Sequence, residues 1–435
     1  MCRLGQWRGS AFAAGPYHEQ RHYEVLGLHR ALALIGIWGW CIGCAAAAGT
    51  GPVHDRTRPG IEVLLSDSVR LVRNRRIGLV TNQAGVDAQG ISDVTRLRDA
   101  GIRLVALFSP EHGFQGAADP GALVASSKDS ATGLPIYSLY GRSSAPSDEM
   151  LQGIDLMLVD LQDAGARYYT YLATTIEVMQ AAARRQLPVL ILDRPNPIGG
   201  VVQGNVLDPA FTSTVGSLAV PMRHGMTLGE LARLAAGDRH IRVDLRIIPV
   251  AGWRRDQALD QTGLPFIPPS PNLRSLESLF HYPGSCLFEG TNLSVGRGSD
   301  APFEQVGAPW LDTTSVLTAI RAAALPGVRF HGVRFTPRKP GDAKYADTAL
   351  AGIRLEVTDR ASYDPTATAV HLLSMIRAAH PEQFKWIPAH FDRLAGGPTL
   401  REQIERGVSP GEIVETWRPG LKQFRQRRLA ALLYH

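Results

Sequence analysis

Five short apolar runs with helix-patterned segments between them constrain this chain more than any other feature: Ile77–Thr81, Ile102–Phe108, Ile154–Val159, Val189–Leu192 and Val243–Ile248. Most of these runs are short and continuously apolar, which suits strands covered on both faces, as in a parallel sheet. The intervals hold helix patterns at 91–100, 170–186 and 227–236, the last opening on Thr227-Leu-Gly-Glu230, a capping-box spacing. Strands alternating with helices predict an α/β fold with a doubly wound, mainly parallel sheet.

The residues that end these runs carry the functional signal. Asn82 and Gln83 follow the first run, Glu111 and His112 the second, Asp160 and Asp163 the third, and Asp193-Arg194-Pro195-Asn196 the fourth. The second run stops at Ser109-Pro110-Glu111-His112-Gly113, where proline removes a backbone donor and glycine permits a reversal. One polar turn alone is ordinary. Strand ends of a parallel sheet, however, share one edge, so these four segments are expected to converge on one crevice.

Four prolines in Pro265–Pro271 interrupt regular structure and suit a crossing between domains. Beyond them Phe288–Glu304 is rich in Gly, Glu, Asn, Ser and Arg, which suits a hydroxyl-rich or anionic ligand, with Arg297 able to form a bidentate pair with a carboxylate. Gly296-Arg-Gly298 lacks the Lys and Ser/Thr of a phosphate loop, and no dinucleotide fingerprint follows the first run, so a nucleotide is not expected. Strand patterns near 328–336 and 350–357, helix patterns near 312–324 and 366–379, and a capped start at Ser409-Pro-Gly-Glu412 predict a smaller α/β domain.

The 435 residues carry a formal charge of +6, and +4 once the four arginines and two glutamates of the first 43 residues are set aside. The basic residues are scattered, so nucleic acid is not an expected partner. His29-Arg30, the 13-residue apolar stretch Ala31–Gly43 and the alanines after Cys44 follow the plan of a secretory signal. Ile42-Gly43-Cys44 is similar to the end of a bacterial lipoprotein box, which makes Cys44 a candidate lipid anchor. Residues 1–44 therefore read as a leader and 45–60 as a tether, with export to the periplasm or anchoring at the outer membrane. Cys286 is left alone in the body, which rules out an intrachain disulfide framework there and any cysteine-based zinc site.

Six segments in order, Leu79–Gly85, Phe108–Phe114, Asp160–Tyr171, Leu192–Pro197, Pro221–Met226 and Phe288–Asn292, resemble the exo-β-N-acetylmuramidase family (NamZ-like glycoside hydrolases). The resemblance covers roughly residues 60 to 435. It implies a Rossmann-like catalytic domain, here 61–274, without a nucleotide or other cofactor. A smaller C-terminal domain, 275–435, would close the cleft. It also implies export and removal of N-acetylmuramic acid from the non-reducing end of peptidoglycan fragments. By position Glu111 is the candidate catalytic acid, Glu289 the second carboxylate and Asp163 a reserve. Asn82, His112, Arg167, Tyr168, Arg194, Asn292 and Arg297 are candidate sugar contacts, and Tyr169 and Tyr171 candidate stacking rings. Arg167 or Arg297 would grip the lactyl carboxylate. No metal is expected, because no His-x-x-x-His or comparable spacing accompanies His112. Inverting, retaining and substrate-assisted hydrolysis all remain open. The alternative expectation is a non-catalytic wall-binding lipoprotein with the same polar cleft.

Overall fold

The computed structural model describes residues 56–141 and 144–435. The leader, Cys44 and most of the tether lie outside the described residues. Ten strands precede and enter the second half: β1 (Ile77–Val80), β2 (Leu104–Ser109), β3 (Ser127–Lys128), β4 (Pro135–Ser138), β5 (Leu156–Val159), β6 (Val189–Leu192), β7 (Gln203–Val206), β8 (Pro221–Arg223), β9 (Leu245–Ile248) and β10 (Gln305–Ala308). The main sheet has the order β3-β4-β2-β1-β5-β6-β9, and every pairing in it is parallel except β3 with β4. Without β3 this is the doubly wound dinucleotide-fold order, which reverses between β1 and β5. β7 and β8 form a separate antiparallel pair.

The inner apolar runs form strands because both of their faces are covered, whereas β9, at the edge of the sheet, is only partly buried. Leu156 and Leu158 of β5 point into a core layer with Ile61, Leu64, Val94 and Leu97. These come from α1 (Gly60–Asp67) and α2 (Asp93–Asp99). Met157 and Val159 point the other way, into a layer with Ile176, Met179, Leu231 and Ala235, from α3 (Tyr171–Arg184) and α4 (Leu228–Asp238). Alternation along the strand thus splits one continuous run between two layers. Each fully buried aliphatic side chain contributes about 1.5–3 kcal/mol. Helix α4 starts where its capping box predicts, with the Thr227 hydroxyl accepting from Glu230 N–H. Within the segment read as a tether, Arg58 exchanges backbone hydrogen bonds with Ala251, and Gly60 lies so close to β6 that a Cβ would stand 2.5 Å from the Asp193 nitrogen.

The second domain is built on an antiparallel sheet, β10-β12-β11, with β11 (Val328–Phe335) and β12 (Leu350–Val357). Around it lie α5 (Leu276–Ser285), α6 (Thr313–Ala322), α7 (Pro365–Ala379) and α8 (Pro388–Ala395). Three short helices follow, at Thr399–Glu405, Pro410–Glu415 and Arg418–Arg428, and the second of them carries the Ser409–Glu412 capping box. Leu279, Val306, Ile353 and Leu372 join the same buried cluster as Val159 and Ile191, so the two sheets share one core. The proline-rich crossing is docked rather than free: Pro268 O accepts from Gln83, and Pro269 O accepts from Tyr169 and Tyr171.

Candidate active site

The switch-point edge carries a cleft lined by residues of both domains, among them Glu111, Tyr140, Thr170, Cys286, Glu289 and Arg297. Its empty space, open mouth included, is about 610 Å³, within the range of small-molecule sites. Glu111 follows β2. Its Oε2 accepts from the Thr170 hydroxyl at 2.7 Å and its Oε1 from Gly121 N–H at 3.0 Å, so both oxygens are fixed by neutral donors. Tyr140 also faces Glu111: burial first, and then the Glu111 carboxylate, push its phenol up to about 12, so its hydroxyl keeps its proton. His112 takes a left-handed backbone, φ 70°, and its Nδ1 lies 2.8 Å from Ala118 O, pinning the ring. A non-glycine residue at positive φ stores strain that the surroundings must hold. Burial pulls the imidazole below its usual range, against the neighbouring Glu111, so the ring is neutral near pH 7.

Glu289 comes from the other domain, on the short helical turn Cys286–Gly290. Its Oε1 accepts from Arg297 Nε at 2.6 Å, and the Cys286 thiol lies 3.6 Å from its Oε2. Burial pushes the Glu289 carboxyl up, but Arg297, Lys344 and His390 together outweigh it and hold the group below the usual carboxylate range. Lys344 is fixed nearby, donating to the carbonyls of Glu289, Thr291 and Leu293. The guanidinium of Arg297 lies 4.9 Å from the Phe303 ring centre, and its buried Nη1 has no hydrogen-bond partner among the described residues. One carboxylate is therefore fixed as an anion beside a cation with a free donor, and the other is framed by neutral hydroxyls.

Of the residues singled out from sequence, Glu111, His112, Tyr168, Tyr169, Glu289 and Arg297 meet at the cleft. The tyrosines serve as wall and scaffold at once: Tyr168 donates to Pro283 O at 3.0 Å and Tyr169 to Pro269 O at 2.7 Å, while Tyr171 is fully buried behind them. The remaining candidates are not among the lining residues. Asn82 spends its amide on Tyr171 and on Ala84 N–H. Asp163 accepts from Gly165 N–H and lies 3.2 Å from His224 Nε2. Arg167 is a buried clamp on the carbonyls of Asn205, Val220 and Leu394, so the lactyl role it shared with Arg297 has no free donor pair to act through. Arg194 is locked to Asp160 and Val86 O. Asn292 ties its loop to Gln383 and Lys385. Sequence reasoning missed Tyr140, Thr170, Tyr282 and His390. Thr170 stands inside the segment Asp160–Tyr171, where its place one residue before α3 was the available signal.

Residues 77–277 match the N-terminal domain, and residues 280–434 the C-terminal domain, described as those of exo-beta-N-acetylmuramidase NamZ. The chain belongs to the exo-β-N-acetylmuramidase family. A family relative from Bacillus subtilis (strain 168), peptidoglycan beta-N-acetylmuramidase NamZ, is 41% identical over 382 residues, covering 87% of this chain and 92% of its own. Two solved structures of DUF1343 family proteins from Bacteroides fragilis NCTC 9343 share the fold. BF0371 has a TM-score of 0.81 at 32% identity and BF0379 a TM-score of 0.71 at 33% identity, each match covering 87% of this chain and 99% of theirs. The boundary between the two exo-β-N-acetylmuramidase domains, at 277–280, falls at the start of α5, next to the turn that delivers Glu289.

Proposed function

We propose that this protein is an exo-acting glycoside hydrolase that releases N-acetylmuramic acid from the non-reducing end of peptidoglycan fragments. The observation that carries this reading is the meeting of Glu111 and Glu289 in one cleft between the two domains of a chain 41% identical to a peptidoglycan β-N-acetylmuramidase. Glycosidic cleavage needs an acid for the leaving oxygen and a negative charge near the oxocarbenium-like centre. Glu289, paired with Arg297, cannot keep a proton near neutral pH and supplies the standing negative charge. Glu111, whose described partners are the neutral Thr170 hydroxyl and Gly121 amide, is the group free to carry and deliver the proton. Thr170 and Tyr140 orient it. The unpartnered Nη1 of Arg297 is the donor for the lactyl carboxylate that distinguishes muramic acid from glucosamine.

The reading extends to place and purpose. The basic flank, apolar stretch and Cys44 of the leader support export and a lipid anchor, and the freed amino sugar suits recycling of wall material. The test is a paired digest. The protein and its Glu111→Gln variant are each incubated with a muramic-acid-terminated disaccharide and with the glucosamine-terminated counterpart, and the products are read by mass spectrometry. Free N-acetylmuramic acid is expected only from the first substrate, with a rate at least about a hundredfold lower for the variant. Equal release by Glu111→Gln would remove Glu111 from the mechanism, and a folded protein that binds but releases nothing would overturn the hydrolase reading.

A further inference from the structure

A second cavity, its empty space about 1510 Å³ with the open mouth included, opens on the β6–β9 half of the same sheet edge and shares no lining residue with the catalytic cleft. Its walls come from both domains. Gly199 follows β6, Arg254 follows β9, Phe280 lies on α5 and Arg360 follows β12. Arg223, the last residue of β8, forms its floor.

Among the described residues Arg223 has no ion-pair partner. Arg223 is 1% exposed, yet its described hydrogen-bond partners, Gln203 Oε1 and Ile198 O, are both neutral, and its Nε has none. A buried cation without a paired anion is costly. Burial accordingly pulls the guanidinium down to about 10, opposed by the more distant Asp364. Asp364 is itself committed to capping α7, where it accepts from Thr366 and Ala367 N–H. Two guanidinium groups lie over the Phe280 ring, Arg223 at 5.6 Å and Arg360 at 4.6 Å from its centre. The carboxylates on the wall are engaged: Asp256 with Arg254, and Asp359 with Ser362 and Ala361. Arg254 and Arg360 hold their acidic partners at the exposed rim, where such pairs are weak and readily exchanged.

We propose that this cavity is a second binding site, independent of the catalytic cleft, for a ligand that carries a carboxylate or phosphate. The anion would sit at the Arg223–Phe280–Arg360 group, where planar guanidinium forks match either oxyanion, and Arg254 would close the rim. A ligand held there touches both domains at once.

The test follows the arginine Nε–H signals by nuclear magnetic resonance in the arginine-labelled protein and in an Arg254→Gln/Arg360→Gln double variant. The double variant spares the buried Arg223 and so the fold. N-acetylmuramic acid, inorganic phosphate and uncharged N-acetylglucosamine are titrated separately, and disaccharide hydrolysis is measured alongside. The expected result is a saturable shift of the Arg223 and Arg360 signals with at least one anion and none with N-acetylglucosamine. The double variant should bind that anion roughly tenfold or more weakly and hydrolyse as the parent does. A response to N-acetylmuramic acid assigns a carboxylate ligand, and a response to phosphate alone assigns a phosphate ligand. No response to either anion, or equal affinity in the double variant, overturns the site. Loss of hydrolysis by the folded double variant overturns its independence from the cleft. Because hydrolysis is read separately, failure here is distinct from failure of the hydrolase reading.

Discussion

Replacing Arg297 with methionine isolates the ion pair that sets the charge of Glu289. The two side chains are only 9% and 16% exposed and meet at 2.6 Å, so solvent screens the pair little. A hydrogen bond to a charged group is worth about 1.5–3 kcal/mol, or about one to two pH units in the affinity of Glu289 for its proton. The sign follows from the environment. In the parent protein burial raises the carboxyl and Arg297, Lys344 and His390 depress it below 4.5, so its stabilising contribution is present above the unfolded value and is lost as pH falls through the folded one. Without Arg297 burial faces only Lys344 and His390, and the carboxyl rises. The assay is kcat/KM against pH with a chromogenic N-acetylmuramic acid glycoside, with denaturant unfolding at pH 4 and 7. The acid limb should move up by about one to two units, and Arg297→Met should lose more stability at pH 7 than at pH 4. A lactyl-binding role alone lowers the plateau and leaves the limb in place. An unmoved limb together with a pH-independent stability loss would falsify the reasoning.

Thr170→Val removes the hydroxyl that holds Glu111 Oε2 and should lower kcat roughly tenfold with little change in KM; Thr170→Ser should recover most of the loss, and a KM effect alone would refute the positioning role. Arg194→Met leaves Asp160 buried and unpaired, so denaturant unfolding should show a loss of about 3–5 kcal/mol; a stable variant with raised KM would return Arg194 to the sugar contacts. Asp193 is raised to about 7 by burial, against hydrogen bonds from Thr227, Tyr434 and Gly229 N–H. An acid raised on folding binds its proton more tightly in the folded state, so its contribution to stability should decline as pH rises from about 4 to 7. Asp193→Asn should flatten that slope, and an unchanged slope would show that another group causes it.

Glu111 was legible in the sequence because a buried strand must stop where proline and glycine interrupt it, and the residues at that stop face the edge common to all parallel strands. The strands with continuous apolar runs were legible for the same reason, whereas β4, only Pro135–Ser138 and half-buried in alternation, offered too little pattern, and Tyr140 was lost with it. Arginines misled. A guanidinium beside a cleft motif reads as a ligand grip, yet Arg167 and Arg194 lie where a buried cation must satisfy carbonyls and carboxylates of its own chain, and only the folded backbone shows which those are. Glu289 and Arg297 were each singled out, but their pairing depends on the path of a glycine-rich loop across eight residues, which no local spacing specifies.

The hydrogen bond from Gly121 gives Glu111 a mechanical duty as well. The segment from His112 to Gly121 leaves the sheet edge and returns, bringing Pro120 into the cleft wall, and it is fastened at the far end by that carboxyl oxygen. An amide donates more strongly to a carboxylate than to a neutral acid. The hold on Pro120 and its loop therefore depends on the charge of the Glu111 side chain.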